Sequence, residues 1–335
     1  MVLLRDIAKI AGVSPSTVSR VINNSAQVKA DKRQRVMEAI QKTGFVPNEL
    51  ARSFYNNSAK IIGVISPDID NPFFNDVVNA IEKEIYRMGY RMMMFFVNGD
   101  MEKLRSAINI LETLQAEGII LMSNAEDVQE AFNNSTTPVV VFDREAKNSK
   151  EFLYIHSNNY EGGRIAAEHL IHCGCKNLIH IKGPQKLSVA RDRFRGYCDG
   201  CSKYHIEIKS LESDYTFESG REAGQDILRL YSDVDGIVAA NDIVAVAVMK
   251  ELQCGGKRIP EDVQIIGFDD IELSQIMNPE LTTIRQHVSD MGKVAIQAII
   301  DHKERKEKSK EIVFSVELVE RGSTRKKKSD EDSKI

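Results

Sequence analysis

From position 60 onward the chain does one thing twice: an apolar run suited to a strand is followed by an amphipathic stretch of helical period. The first series reads "KIIGVIS" (60–66), a helix near 73–89, "YRMMMFFVN" (90–98), a helix near 102–116, "GIILMS" (118–123) and "PVVVFDR" (138–144). After "YIHSNN" (154–159) a helix begins near 161 and the rhythm resumes with "NLIHIKG" (177–183), a helix from about 190, "IEIKSLES" (206–213), a helix near 218–231, "DGIVAAND" (235–242), a helix to about 252 and "VQIIGFDD" (263–270). "TTIRQ" (282–286), a helix near 289–303 and "IVFSVELVERGS" (312–323) close the pattern. Nearly continuous apolar runs alternating with helices predict parallel sheets covered on both faces. About 255 residues in two such series exceed one core and predict two α/β lobes.

The first 46 residues have a different texture and read as three short helices. "LRDIAKIA" (4–11) places Leu4, Ile7, Ala8 and Ala11 on one face. Gly12 and Val13 make a tight turn, Ser14 is an N-cap, and Pro15 takes the first helical position, where a missing N–H costs nothing. That second helix runs to about 22, with Val18 and Val21 inward. The third, "ADKRQRVMEAIQKTG" (30–44), turns Val36, Ala39 and Ile40 inward and ends at Gly44. Helix, glycine turn and helix at this spacing are the helix-turn-helix pattern. "VPNELARSFYNNSAK" (46–60) holds at most two helical turns, marginal alone in water, and reads as a linker that folds on contact.

Charge divides the chain in the same way. The net charge is −4, yet residues 1–58 carry nine Lys/Arg against four Asp/Glu, a balance of +5 that leaves −9 for the rest. A small basic head on a larger acidic body predicts a polyanionic partner for the head.

Several function classes are excluded. No apolar run approaches the roughly 18 residues of a membrane span, and "MVLLRDIAKI" reaches charge at Arg5 and Asp6, so no secretory signal is expected and the cytoplasm is the expected compartment. The five cysteines, odd in number, are expected to be reduced thiols; Cys198 and Cys201 form a C-x-x-C within a helical stretch and read as two ordinary thiols. Neither a G-x-S-x-G, an H-E-x-x-H nor a Walker pattern is present, and Gly162-Gly163 is no phosphate loop, so an enzyme, a metal centre and a cofactor are not expected.

The segments "RDIAKIAGVSPSTVSRVINN", "GFVPNELARSF", "IGVISPDIDNPFF", "GIILMS", "PVVVFDR", "NNYEGGRIAAEHLI", "DRFRGY", "AANDIVAVAVMKEL", "VQIIGFDDIEL" and "LTTIRQ" occur in order over about residues 3–323. Together they resemble the LacI/GalR family of bacterial transcription regulators. The resemblance implies a small all-α helix-turn-helix head (1–46), a hinge helix (47–59), and an α/β core of two doubly wound parallel-sheet lobes, like a periplasmic binding protein (60–323). It further implies that the chain crosses between lobes more than once, giving lobe one about 60–158 plus 288–315 and lobe two about 159–287 plus 316–323. Residues 324–335 read as a polar, disordered tail. The implied partners are an operator DNA, a second copy in a homodimer, and a small sugar between the lobes; an alternative within the family is a phosphorylated carrier protein as corepressor. The tail has no leucine heptad, which argues for a dimer over a tetramer.

By position, Ser16, Thr17, Arg20 and Asn23 match the family's DNA-facing places, and Arg20 can fork to guanine O6 and N7. In the hinge, Ala51 keeps a small residue and Phe54 stands where leucine is usual, as an apolar wedge for the minor groove. Leu3 and Lys29 replace the usual hydroxyl caps of the first and third helices, which predicts a less stable head. For the sugar, residues just after predicted strands match pentose-binding places in relatives: Asn71, Phe73, Phe74, Asp143, Arg144, Arg191, Asn241, Asp269 and Gln286. Ribose is the foremost expected effector. Asp242 reads as a helix cap and Asp270 as a solvated loop acid.

Overall fold

The computed structural model describes residues 2–23, 28–45, 59–67, 70–122, 128–133, 135–143, 152–302 and 311–326. The hinge, with Ala51 and Phe54, lies outside the described residues, as do Arg144 and the side chain of Asn23.

The head folds as α1 (Leu4–Ala11), α2 (Pro15–Asn23) and α3 (Ala30–Thr43) around Ile7, Ala8, Ala11, Val18, Val21, Val36 and Ala39. Gly12 ends α1 at φ 63°, a left-handed conformation that glycine adopts without a Cβ penalty, and so turns the chain into α2. Neither Leu3 nor Lys29 makes a side-chain cap bond. Asp6 compensates in part by accepting the Leu3 N–H at 2.9 Å.

The core is two six-stranded sheets. In lobe one come β1 (Ile61–Ser66), α4 (Pro72–Arg87), β2 (Arg91–Phe96), α5 (Met101–Thr113), β3 (Gly118–Leu121), α6 (Val128–Ala131), β4 (Val139–Phe142) and β5 (Leu153–Ser157). Lobe two follows with α7 (Asn159–His172), β6 (Leu178–Lys182), α8 (Ser188–Lys203), β7 (Ser210–Glu212), α9 (Phe217–Leu230), β8 (Gly236–Ala239), α10 (Asp242–Cys254), β9 (Gln264–Asp269), α11 (Leu273–Ile276) and β10 (Thr282–Gln286). The chain then returns to lobe one as α12 (Val288–His302) and β11 (Glu311–Phe314), and ends in lobe two with β12 (Val316–Val319).

The strand orders are β11-β5-β4-β3-β1-β2 and β12-β10-β9-β8-β6-β7. Among the described residues every pairing is parallel except β10 with β12. Three crossings therefore join the lobes: after Ser157, after Gln286 and after Phe314. Met291, Ala295, Ile296 and Ile299 on α12 pack with α4 residues Val77, Ile81 and Ile85, which anchors the returning segment in the lobe-one core. Carboxyl ends of parallel strands from both sheets meet at this waist, where an open α/β sheet holds its ligands.

Candidate functional site

The head presents one bare helix face. Val18 and Val21 of α2 are buried, while Ser16 and Arg20 are exposed and Thr17 is half-buried. The Ser14 hydroxyl accepts the Thr17 N–H at 3.2 Å and shares hydrogen bonds with the hydroxyls of Ser16 (2.8 Å) and Thr17 (2.9 Å). Ser14 thus caps α2 and holds two hydroxyls together at its start, the end that a recognition helix points at base edges. Arg20 makes no ion pair among the described residues.

The second site is a cavity of about 460 Å³ between the lobes. Six of the residues expected from the sequence line it: Asn71, Phe73 and Phe74 at the start of α4, Asp143 after β4, Asn241 after β8, and Asp269 at the end of β9. Local structure explains each placement. Asn71 caps α4, its Oδ1 accepting the Phe73 N–H at 3.0 Å. Phe73 and Phe74 are buried edge to face, ring centroids 5.5 Å apart, and close the lobe-one wall. Asn241 caps α10 by accepting the Val244 N–H at 2.9 Å, and its Nδ2 donates to the Tyr215 carbonyl at 3.3 Å. Asp143 and Asp269 have φ of 54° and 114°, strained values for residues with a Cβ. Such strain collects where a site needs a side chain aimed against local preference.

The cation among the described lining residues is Arg193, where the sequence pointed to Arg191. Arg191 does not line the cavity; its Nη1 donates to the carbonyls of Gln185 (3.1 Å) and Lys186 (2.9 Å) in the loop before α8. Arg193 does line it. Two positions along a helix are about 200° of rotation, so the two arginines leave α8 on nearly opposite faces. The Arg193 side chain is 5% exposed, with Nε donating to Asn159 Oδ1 (2.8 Å), Nη1 to the Ala240 carbonyl (2.7 Å), and Nη2 3.5 Å from Asp269 Oδ1. Gln286 stands behind this group and does not line the cavity: its Nε2 donates to Asp269 Oδ1 at 2.7 Å.

Two further acids differ from expectation. The cap of α10 is Asn241, and Asp242 is instead fully buried, accepting from the Thr283 hydroxyl (2.6 Å) and the Ile271 N–H (2.9 Å). Burial, and then the Asp269 charge, raise its carboxyl well above the ordinary carboxylate range despite these two bonds. Asp270 is no solvated acid: its side chain is 6% exposed and is paired with Arg285 at 2.6 Å and Arg321 at 2.5 Å.

The sequence reading also passed over the loop between β7 and α9. Asp214, Tyr215, Thr216 and Phe217 line the cavity from lobe two. Thr216 caps α9, and the Asp214 carboxylate accepts both the Thr216 N–H (3.0 Å) and its hydroxyl (2.5 Å). The "DYTF" cluster of aromatics around a helix cap was the available signal, but nothing periodic marks it.

The C-x-x-C lies on α8 with both thiols free. Burial, foremost, pushes the Cys201 thiol up to about 11 and raises that of Cys198. No helix among the described residues is long and apolar enough to cross a membrane.

A helix-turn-helix head on two parallel-sheet lobes, with a polar and aromatic cleft at the waist, defines a DNA-binding regulator fused to a small-molecule-binding core. Residues 3–48 match the family "Bacterial regulatory proteins, lacI family", and residues 167–324 match "Periplasmic binding protein-like domain". The chain is 36% identical over 304 residues to the ribose operon repressor of Bacillus subtilis, covering 90% of this chain and 91% of that protein. Its fold overlays on the lac repressor dimer bound to operator and the anti-inducer ONPF with TM-score 0.88 and 25% identity, over 96% of this chain and 98% of that one. A LacI family regulator from Enterococcus faecium with bound ribose overlays with TM-score 0.72 and 25% identity, over 79% and 98% of the two chains. The protein belongs to the lacI family and is a DNA-binding repressor, not an enzyme.

Proposed function

We propose that this repressor binds its operator as a homodimer, reads bases with Ser16, Thr17 and Arg20, and is released when a neutral pentose, ribose foremost, fills the inter-lobe cleft. The carrying observation is the charge of the cavity wall. Asp70, Asp143, Asp214 and Asp269 face one guanidinium, Arg193, among the described lining residues. Carboxylates accept hydrogen bonds from sugar hydroxyls and repel anions, so the wall suits an uncharged polyol over a sugar phosphate. Phe73, Phe74 and Phe217 supply apolar faces for C–H groups, and the cavity falls within the roughly 300–1,000 Å³ of small-ligand sites. The ribose-bound structural relative and the ribose operon repressors support the same reading.

The physical coupling is differential affinity. A sugar held by both lobes favours the closed arrangement, and a repressor whose DNA grip belongs to the other arrangement loses operator affinity. Such couplings are typically about 1–3 kcal/mol. Fluorescence anisotropy on operator DNA tests this. D-ribose is expected to weaken operator binding roughly 5- to 150-fold, whereas ribose 5-phosphate has no effect. Operator binding unchanged by ribose and related pentoses would overturn the sugar reading; tightening by a phosphorylated carrier protein would move the assignment to a corepressor mechanism.

A further inference from the structure

Residues 320–325 do not leave lobe two after β12 but run back across it. The Ser323 hydroxyl donates to the Ile265 carbonyl (2.6 Å) and accepts the Thr282 N–H (2.8 Å), and the Arg325 N–H donates to Gln264 Oε1 (2.8 Å). This strap is therefore stitched to β9 and β10, the strands whose carboxyl ends carry Asp269 and Gln286.

Arg321 points inward along with Ser323 and Thr324, its side chain only 9% exposed. Nη2 pairs with Asp270 Oδ1 at 2.5 Å, and Nη1 donates to Ser274 Oγ (2.9 Å) and to the Leu281 carbonyl (2.8 Å). Arg285 takes the other Asp270 oxygen at 2.6 Å. Asp270 has φ 59° and Asp269, beside it, φ 114°. Two successive non-glycine residues in the left-handed region relax unless their surroundings hold them. Asp269 is held by Arg193, which lines the cavity, and by Gln286, which stands behind it; Asp270 is held by the two arginines.

We propose that Arg321 is a positioning residue for the ligand cleft: by pinning Asp270 it fixes the strained turn that aims the Asp269 carboxylate into the cavity. This rests on the reading of the cleft as a sugar site. It makes the end of the chain, distant in sequence from every lining residue, part of effector recognition without touching the effector.

Isothermal titration of D-ribose into the full-length chain tests it, with Arg321→Met, Asp270→Asn, their double variant and Arg321→Lys, each well below its own unfolding temperature. Arg321→Met and Asp270→Asn are each expected to weaken ribose about tenfold, the double variant to be no weaker than the worse single, and Arg321→Lys to recover most of the loss. Sugar-free operator affinity should stay within about twofold throughout, a pattern that mere loss of fold stability does not produce. Where Arg321→Met fails to fold, Asp270→Asn reads the same link. Wild-type ribose affinity in both folded single variants overturns the positioning role alone. No ribose binding by the wild-type chain overturns the sugar reading, and this proposal with it.

Discussion

The Arg193 guanidinium lies on the ring of Phe268, its Cζ 3.6 Å from the centroid, while three of its nitrogens face Asn159, the Ala240 carbonyl and Asp269. An arginine stacked and hydrogen-bonded in this way is oriented before any ligand arrives, so little rotamer entropy is left to lose on binding. Phe268 itself fits because Gly162 leaves room: a Cβ there would come within 2.5 Å of the ring.

Arg193 and Arg191 should separate cleanly. Truncating a buried, hydrogen-bonded charge costs about 2–5 kcal/mol in binding, so Arg193→Met should weaken sugar binding at least about 30-fold. Arg191→Met, which removes the bonds to the Gln185 and Lys186 carbonyls, should cost less than about threefold. Titration calorimetry with ribose checks both; equal losses would return the ligand-facing role to Arg191.

Two glycines set the α7–α8 distance that delivers Arg193. A Cβ on Gly163 would lie 2.0 Å from the Arg193 carbonyl oxygen, and one on Gly196 would lie 1.9 Å from the Tyr160 carbonyl oxygen. Because backbone is hit in both cases, the helices themselves must move apart. Gly163→Ala should lower stability by roughly 1–3 kcal/mol, seen as a Tm loss of several degrees, and should weaken sugar binding as well. An unchanged Tm in differential scanning calorimetry would show that the helix pair has slack.

His180 on β6 should make the protein acid-sensitive. It is fully buried beside Tyr197 and Phe194, and burial, foremost, then the charges of Arg193 and Lys182, push it down to about 3 from 6.5. The unfolded chain therefore binds the proton more readily, so stability is present above pH 6.5 and lost as pH falls from there toward 3. The slope contributed is at most about 1.4 kcal/mol per pH unit. Urea unfolding should show His180→Leu losing about 1–2 kcal/mol less than wild type between pH 6.5 and 5; parallel losses would show that another group carries the acid sensitivity.

Arg20 is exposed on the recognition face and should read bases more than phosphates. Arg20→Ala is expected to cost about 1–3 kcal/mol on operator DNA and much less on random DNA of equal length. Gel-shift titrations on the two DNAs decide it, since equal losses make Arg20 a phosphate contact.

Much of this molecule was legible without coordinates. Strand runs and helical periods located most of the strands and longer helices within a few residues, because burial on both faces of a parallel sheet leaves a nearly continuous apolar signature; the one-turn helices α6 and α11 and the division of 312–323 into β11 and β12 left no such mark. The cap at Ser14 was legible for a local reason, because it acts within three residues of itself. Six of the residues that the family resemblance pointed to, just beyond strand ends, line the cavity. What only the tertiary structure decided depends on phase and distance. Which of Arg191 and Arg193 faces the cavity is set by how α8 rotates against α7, where Gly163 meets the Arg193 backbone and Gly196 the Tyr160 backbone. Whether Asp242 and Asp270 are caps, solvated acids or buried partners is set by Thr283 and Arg285 of β10 and by Arg321 from the segment after β12. Local sequence determines what a segment can form, whereas the charge state and aim of a side chain depend on the neighbours that packing brings to it.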